Sequence, residues 1–172
     1  AFFFEKKINI KKIEKKIKIE ISKNQNFIEY SELGLDYLKK ISKIIKKNTG
    51  GLLIIDYGYS DKIMKNTLQG ISNHKFANIL GNIGNIDITH HLNFELFKKF
   101  VIQIGGLENN LTSQKEFLLK MGIKQRAEII SQNQNFTKKA DIYYRLNRLI
   151  DEKQMGSLFK VMLIKNKKNK FK

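Results

Sequence analysis

The chain has no cysteine, no proline and no tryptophan. Without cysteine there are no disulfides, no zinc–thiolate centres and no thiol nucleophiles. No apolar run approaches the roughly 20 residues needed to span a bilayer. Arginine is nearly absent too, occurring only at Arg126, Arg145 and Arg148, although Lys and Arg together number 33 against 16 Asp and Glu. The net charge of +17 is therefore almost wholly lysine. Phosphate and base-edge recognition favours the two-pronged guanidinium, so this charge points to a solvated lysine surface. Excess Ile and Asn accompany the excess Lys along the whole chain, the bias an AT-rich coding sequence imposes. The densest cationic runs are residues 6–18 and the tail 165–172, which reads as a frayed end.

What is present, in 172 residues with 41% hydrophobic content, suits one domain or part of one. The opening Ala1-Phe2-Phe3-Phe4-Glu5 has neither Met nor a signal-length apolar segment, and reads as a chain entered midway. Residues 6–30 place isoleucines among lysines with a mixed period that suggests two short strands or a hairpin. Residues 32–47 carry Leu35, Leu38, Ile41, Ile44 and Ile45 on one stripe, with Ser31 as N-cap and Gly50-Gly51 as the stop. Leu52–Asp56 then reads as a strand buried on both faces. Helix, tight turn and buried strand make one step of a doubly wound α/β sheet, whose ligands sit at strand carboxyl ends. Residues 60–92 are poorly periodic and read as a long functional loop. A short helix is expected from Phe94 to Phe100 and a strand over Val101–Ile104. A capping box at Ser113–Glu116 opens helical patterns over 116–130 and 137–150, and a last strand is expected at 158–164.

Asp56, at the carboxyl end of the central strand, is the best-placed acid, with Tyr57, Gly58 and Tyr59 in the turn beside it. Asp87, His90 and His91 have poor metal geometry, since adjacent side chains point apart. No Gly-x-Ser-x-Gly elbow, phosphate loop or Gly-x-Gly-x-x-Gly is present.

Five ordered blocks carry a resemblance. Gly50–Tyr59 (GGLLIIDYGY) leads, followed by Thr67-Leu68-Gln69-Gly70 with His74-Lys75-Phe76. Gly84 with Asp87-Ile88-Thr89-His90-His91-Leu92-Asn93-Phe94 comes third. Gln114 with Phe117–Ile123 and Arg126 is next, and Met155–Val161 ends the series. With Glu29-Tyr30-Ser31 upstream, these resemble the MidA family of class I S-adenosylmethionine-dependent methyltransferases, which includes the mitochondrial complex I assembly-factor arginine methyltransferase. The departures are His90 for the usual Ala, Asn93 for Asp, and Lys115 for a small residue. The family's Asn-Glu-Phe-Phe-Asp block is reduced to Phe3-Phe4-Glu5. Its donor-binding Glu-x-Gly-x-Gly-x-Gly loop is absent.

The resemblance implies an α/β fold: the C-terminal part of a Rossmann-like class I methyltransferase sheet, with a helical insertion before the last strand. Residues 1–164 would be the C-terminal half of the methyltransferase domain, and 165–172 a basic tail. It implies S-adenosyl-L-methionine as methyl donor, held with the help of a complementing N-terminal half, and a protein arginine as acceptor, with a respiratory complex I subunit as the candidate protein. By the same resemblance Asp56 is the expected catalytic residue. Tyr57, Gly58, Tyr59, Gln69, Gly70, His74, Asp87, Thr89 and His91 are the expected substrate-side residues. The location would be the cytoplasm in a bacterium and the mitochondrion in a eukaryote. Two other classes compete: a non-catalytic binding remnant of the fold, and a basic nucleic-acid binder.

Overall fold

The computed structural model describes residues 7–169. Phe3-Phe4-Glu5 and the last three tail residues lie outside the described residues.

The expected strands in 6–30 are instead a helix, α1 (Ile10–Ile17), followed by irregular chain. Local caps decide this. The Asn9 side chain accepts from Lys12 N, and Lys18 adopts the left-handed conformation (φ 55°) that ends the helix. Ile10, Ile13 and Ile17 then share one face, and Ile17 and Ile21 enter the core. Glu14 fixes the chain that follows. Its Oε1 accepts from Ile21 N (2.9 Å), Ser22 N (2.8 Å) and Ser22 Oγ (2.7 Å), and Lys11 pairs with Oε2 (3.2 Å).

Those bonds, the Ser22 hydroxyl first, lower the Glu14 carboxyl from its ordinary 4.5 to about 2. A folded-state pKa below the unfolded one contributes stability that is complete above the unfolded value. It is lost as pH falls through about 4.5 toward 2. Urea unfolding at pH 6 and pH 3 should show a larger acid loss for the wild type than for Glu14→Gln. Equal losses would mean that Glu14 does not hold this segment.

Helix α2 (Glu32–Asn48) forms as expected, with Ser31 Oγ accepting from Gly34 N at 3.1 Å. It buries Leu35, Leu38, Ser42 and Ile45, and a left-handed Thr49 (φ 54°) closes it. Strand β1 (Gly51–Tyr59) follows, longer than expected. It is not buried on both faces. Exposure alternates along it, leaving Leu53 46% and Ile55 48% exposed while Leu52 and Ile54 pack against the core.

The expected loop at 60–92 holds a small antiparallel sheet in the order β3-β2-β4, formed by β2 (Gln69–Ser72), β3 (Lys75–Ala77) and β4 (Asp87–Thr89). β5 (Leu92–Asn93) leads into α3 (Phe94–Ile104). The expected strand at Val101–Ile104 is the end of this helix. Phe94, Phe97, Phe100, Val101 and Ile104 recur at helical spacing, and Gly105 and Gly106 at positive φ stop it. β6 (Leu107–Ser113) had no sequence signal, because Glu108-Asn109-Asn110 are poor strand formers. The capping box at Ser113 and Glu116 is present and starts α4 (Gln114–Lys120). Gly122 (φ 79°) splits the expected 116–130 helix, giving α5 (Ile123–Ser131). α6 (Phe136–Ile150) and a single turn, α7 (Met155–Leu158), lead to β7 (Phe159–Asn166).

The main sheet runs β5-β1-β7-β6. β7 lies antiparallel between β1 and β6, and β5 is parallel to β1 at only two positions, Gly58↔Leu92 and Tyr59↔Asn93. From Gly51 to Tyr57 the other edge of β1 has no strand neighbour among the described residues. Helices α2 and α3 cover one sheet face, where Met162 and Ile164 are fully buried. The helices α4–α7 form the insertion before the last strand.

The start of the expected frayed tail is ordered. Lys165 and Asn166 belong to β7, and buried Asn166 donates to the Ile45 (3.3 Å) and Lys46 (3.0 Å) carbonyls, tying the strand to the end of α2. Asn169 Nδ2 donates to Gly50 O at 3.0 Å.

Candidate functional site

The carboxyl ends of the parallel pair β1 and β5 meet at Tyr59 and Asn93, the place where such sheets bind ligands. Their close approach depends on Gly58. A Cβ there would collide with the Leu92 carbonyl oxygen and stand 2.8 Å from the Phe94 ring. Asn93 caps α3 by accepting from Leu96 N (3.0 Å), so one residue ends β5 and starts the helix.

Four of the expected residues gather here with His91. Asp56 Oδ1 accepts from the next backbone amide, Tyr57 N, at 2.8 Å. Across the strands Asp56 faces Lys160, whose ammonium donates to the Ser157 carbonyl and whose pKa burial pulls down. The Tyr57 ring meets His91 edge-on at 5.5 Å and Phe159 at 5.7 Å. Tyr59 is 6% exposed and its hydroxyl accepts from Lys65 N (3.3 Å); burial pushes its phenol up.

The other expected residues sit on the small sheet. Gln69 Nε2 donates to Thr89 Oγ1 (3.1 Å), joining β2 to β4. Gly70 is required by crowding, since a Cβ would lie 2.7 Å from Ala77 O and 2.8 Å from Ile86. Asp87 is exposed on β4. His74 is exposed at the β2–β3 turn, where Asn73 and His74 both have positive φ. His74 and Asp87 are thus not gathered with Asp56. His90 Nδ1 lies 3.2 Å from the His91 carbonyl oxygen, and no group of three His, Asp or Glu among the described residues is placed to hold a metal ion.

Thr67 joins the two groups. Its Oγ1 accepts from His91 N (2.9 Å) and donates to Glu29 Oε2, and its amide reaches Glu29 Oε1 at 3.4 Å. Neither Glu29 nor Thr67 was among the expected site residues. Both stand within the resembling blocks, but neither residue type signals chemistry by its spacing alone.

Two clefts flank this strand end and share Asn93 and Leu96. One, of about 370 Å³, is lined by charges of both signs, including Glu20, Lys23, Asp61 and Lys99. The other, of about 440 Å³, is lined by Phe27, Tyr30, Leu68, Phe97, the His90-His91 pair and Glu29.

Comparison with known proteins identifies the family and the fold. Residues 5–112 match the family described as "Putative S-adenosyl-L-methionine-dependent methyltransferase". Among curated proteins, the chain is 26% identical over 133 residues to the zebrafish (Danio rerio) "Protein arginine methyltransferase NDUFAF7, mitochondrial". It is 28% identical over 124 residues to the Xenopus tropicalis protein of the same name. These alignments take in 75% and 72% of this chain but only 30% and 28% of those proteins, so the chain spans about three tenths of their length. Two solved structures from Burkholderia thailandensis share the fold at 24% identity. One has a TM-score of 0.69, over 83% of this chain and 40% of its own. The other, bound to S-adenosyl-homocysteine, has a TM-score of 0.66 over 80% and 36%. The family match covers well over half of the residues, and the chain belongs to this family of S-adenosyl-L-methionine-dependent methyltransferases.

Proposed function

We propose that this chain is the acceptor-side part of a methyltransferase that moves a methyl group from S-adenosyl-L-methionine to a protein arginine. The observation that carries this reading is the convergence of β1 and β5 at Gly58–Tyr59, with Asp56 and Tyr57 just before it on β1 and His91, which meets the Tyr57 ring, lining the adjoining cleft. The arginine acceptor is supported by two relatives bearing the name protein arginine methyltransferase. A subunit of respiratory complex I is the protein substrate we favour. We place the reaction in the mitochondrion of a eukaryote or the cytoplasm of a bacterium. No helix among the described residues is long and apolar enough to cross a membrane.

The described residues do not form the donor's cradle by themselves. No glycine lines either cleft, and the close space at Gly58 is filled by the Leu92 carbonyl and the Phe94 ring. In our reading the glycine-rich donor loop is supplied by polypeptide outside the described residues. The present residues do three things. The β1–β5 junction fixes the strand ends. The Tyr57, His91 and Phe159 rings wall the site against water. Asp56 and its neighbours orient the acceptor nitrogen, the positional control on which a group transfer depends.

The test is reconstitution with a polypeptide covering the remainder of the relatives' length. Radiolabelled methyl should appear as methylarginine in a protein acceptor, and Asp56→Asn should abolish it. Label on another residue type would overturn the arginine reading. Unchanged turnover in Asp56→Asn would remove Asp56 from the site.

A further inference from the structure

We infer that Glu29 is the carboxylate that receives the acceptor's cationic group, in the 440 Å³ cleft beside Tyr57 and His91. The guanidinium identity of that group rests on the proposed arginine acceptor; the cation site itself rests on geometry. Of the acids expected to serve, Asp56 turns back on the Tyr57 amide and Asp87 is exposed on β4, and neither lines a cleft. Among the described residues, Glu29 is the only acidic one lining this cleft.

Its surroundings suit a planar cation. Phe27, Tyr30 and Phe97 offer aromatic surface, on which a guanidinium stacks, and Leu68 adds apolar wall. Thr67 holds the Glu29 carboxylate from one side, through its amide and its hydroxyl. A carboxylate has about four lone-pair positions, so enough remain for a two-pronged bond to a guanidinium. Among the described residues no Lys or Arg pairs with Glu29, in a chain where cations outnumber acids two to one. The same Thr67 hydroxyl accepts from His91 N, and the His91 ring meets Tyr57. A cation seated on Glu29 is thereby tied to the carboxyl end of β1, where the proposed chemistry occurs.

The experiment titrates the 172-residue chain with Nα-acetyl-L-arginine amide and with its uncharged isostere Nα-acetyl-L-citrulline amide, followed by amide NMR. The arginine compound should bind at least tenfold more tightly and shift the Thr67 and His91 resonances. Glu29→Gln should erase the difference, while Glu20→Gln, in the other cleft, should keep it. Equal binding of the two compounds, no saturation with either, or shifts confined to residues away from Thr67 and His91 would overturn the site even if Glu29→Gln failed to fold. The failure of each reading is separable. In the reconstituted enzyme, arginine methylation with an unchanged KM in Glu29→Gln would sink the Glu29 site and leave the proposed function standing. Arginine preference at Glu29 with methyl found on another residue type would do the reverse.

Discussion

Phe94→Ala should lower the unfolding free energy by about 3–5 kcal/mol, the usual range for deleting a fully buried phenylalanine. Phe94 is 0% exposed, begins α3 and packs against Phe97 at 6.3 Å between ring centroids. Its ring also lies directly under Gly58, so it supports the only positions at which β5 pairs with β1. Deletion leaves a cavity beneath the strand ends as well as lost apolar burial. With total stabilities of about 5–15 kcal/mol for ordinary domains, the variant should be close to unfolding at 37 °C. Urea unfolding followed by circular dichroism measures the loss, and amide exchange at Tyr59 and Asn93 should accelerate with it. A loss below about 1 kcal/mol would mean that the site has collapsed around the cavity and that Phe94 does not hold the junction.

Paired substitutions Leu53→Lys and Ile55→Lys should leave the isolated chain nearly as stable as the wild type. They should weaken its association with the proposed complementing polypeptide, supplied as in the reconstitution test, by more than a hundredfold. Both side chains are about half exposed on the sheet face opposite α2 and α3, and Leu163, across from Leu53, is 41% exposed. Along Gly51–Tyr57 the edge of β1 away from β7 has no strand neighbour among the described residues, and an apolar strand with an open edge invites pairing. The outer face of α2 agrees. Lys46 reaches Ile104 O at 3.3 Å, which fixes the side of α2 facing α3. Tyr37 lies nine residues earlier, about half a turn around the helix. With Leu33 and Ile44 it forms an exposed apolar stripe on the side away from α3.

Covering the exposed half of two such side chains contributes roughly 0.7–1.5 kcal/mol each, and burying lysines in their place adds a desolvation cost of about 1–3 kcal/mol each. Together these exceed the 2.8 kcal/mol that corresponds to about a hundredfold in Kd. Pull-down titration of the pair measures it; retained affinity would show that the polypeptide docks elsewhere. Isothermal titration gives the companion result. The chain alone should bind S-adenosyl-L-methionine far more weakly than the reconstituted pair, and micromolar binding by the chain alone would refute the need for a complementing half.

Much of the fold was legible in the sequence wherever a local signal was sufficient. Ser31 and the Leu35–Ile45 stripe marked α2, Ser113 and Glu116 marked α4, and the Gly-bounded apolar run marked β1. The caps and the stripe are interactions between residues a few positions apart, and the apolar run marked β1 locally even though its ladder is completed by β7. The ordered blocks from Gly50 to Val161 likewise sufficed for the family.

Tertiary structure decided the rest. The isoleucines of 10–21 are compatible with strand or helix; the local caps at Asn9 and Lys18 favour the helix, and the burial of Ile17 and Ile21 in the core shared with α2 and α3 fixes it there. Val101–Ile104 is β-branched enough for a strand, but its side chains complete the stripe begun by Phe94. The polar β6 exists because β7 supplies its ladder from Leu107 to Ser113. The site divides in the same way. Asp56 is marked in the sequence as the acid that ends the apolar run, with Tyr57–Tyr59 as a turn beside it, whereas β1 continues through Tyr59 because β7 and β5 extend its pairing. The placing of Glu29 in a cleft with His91 depends on a threonine 38 residues away along the chain. Residues so far apart meet only after folding, and no pattern of neighbouring residues encodes their distance.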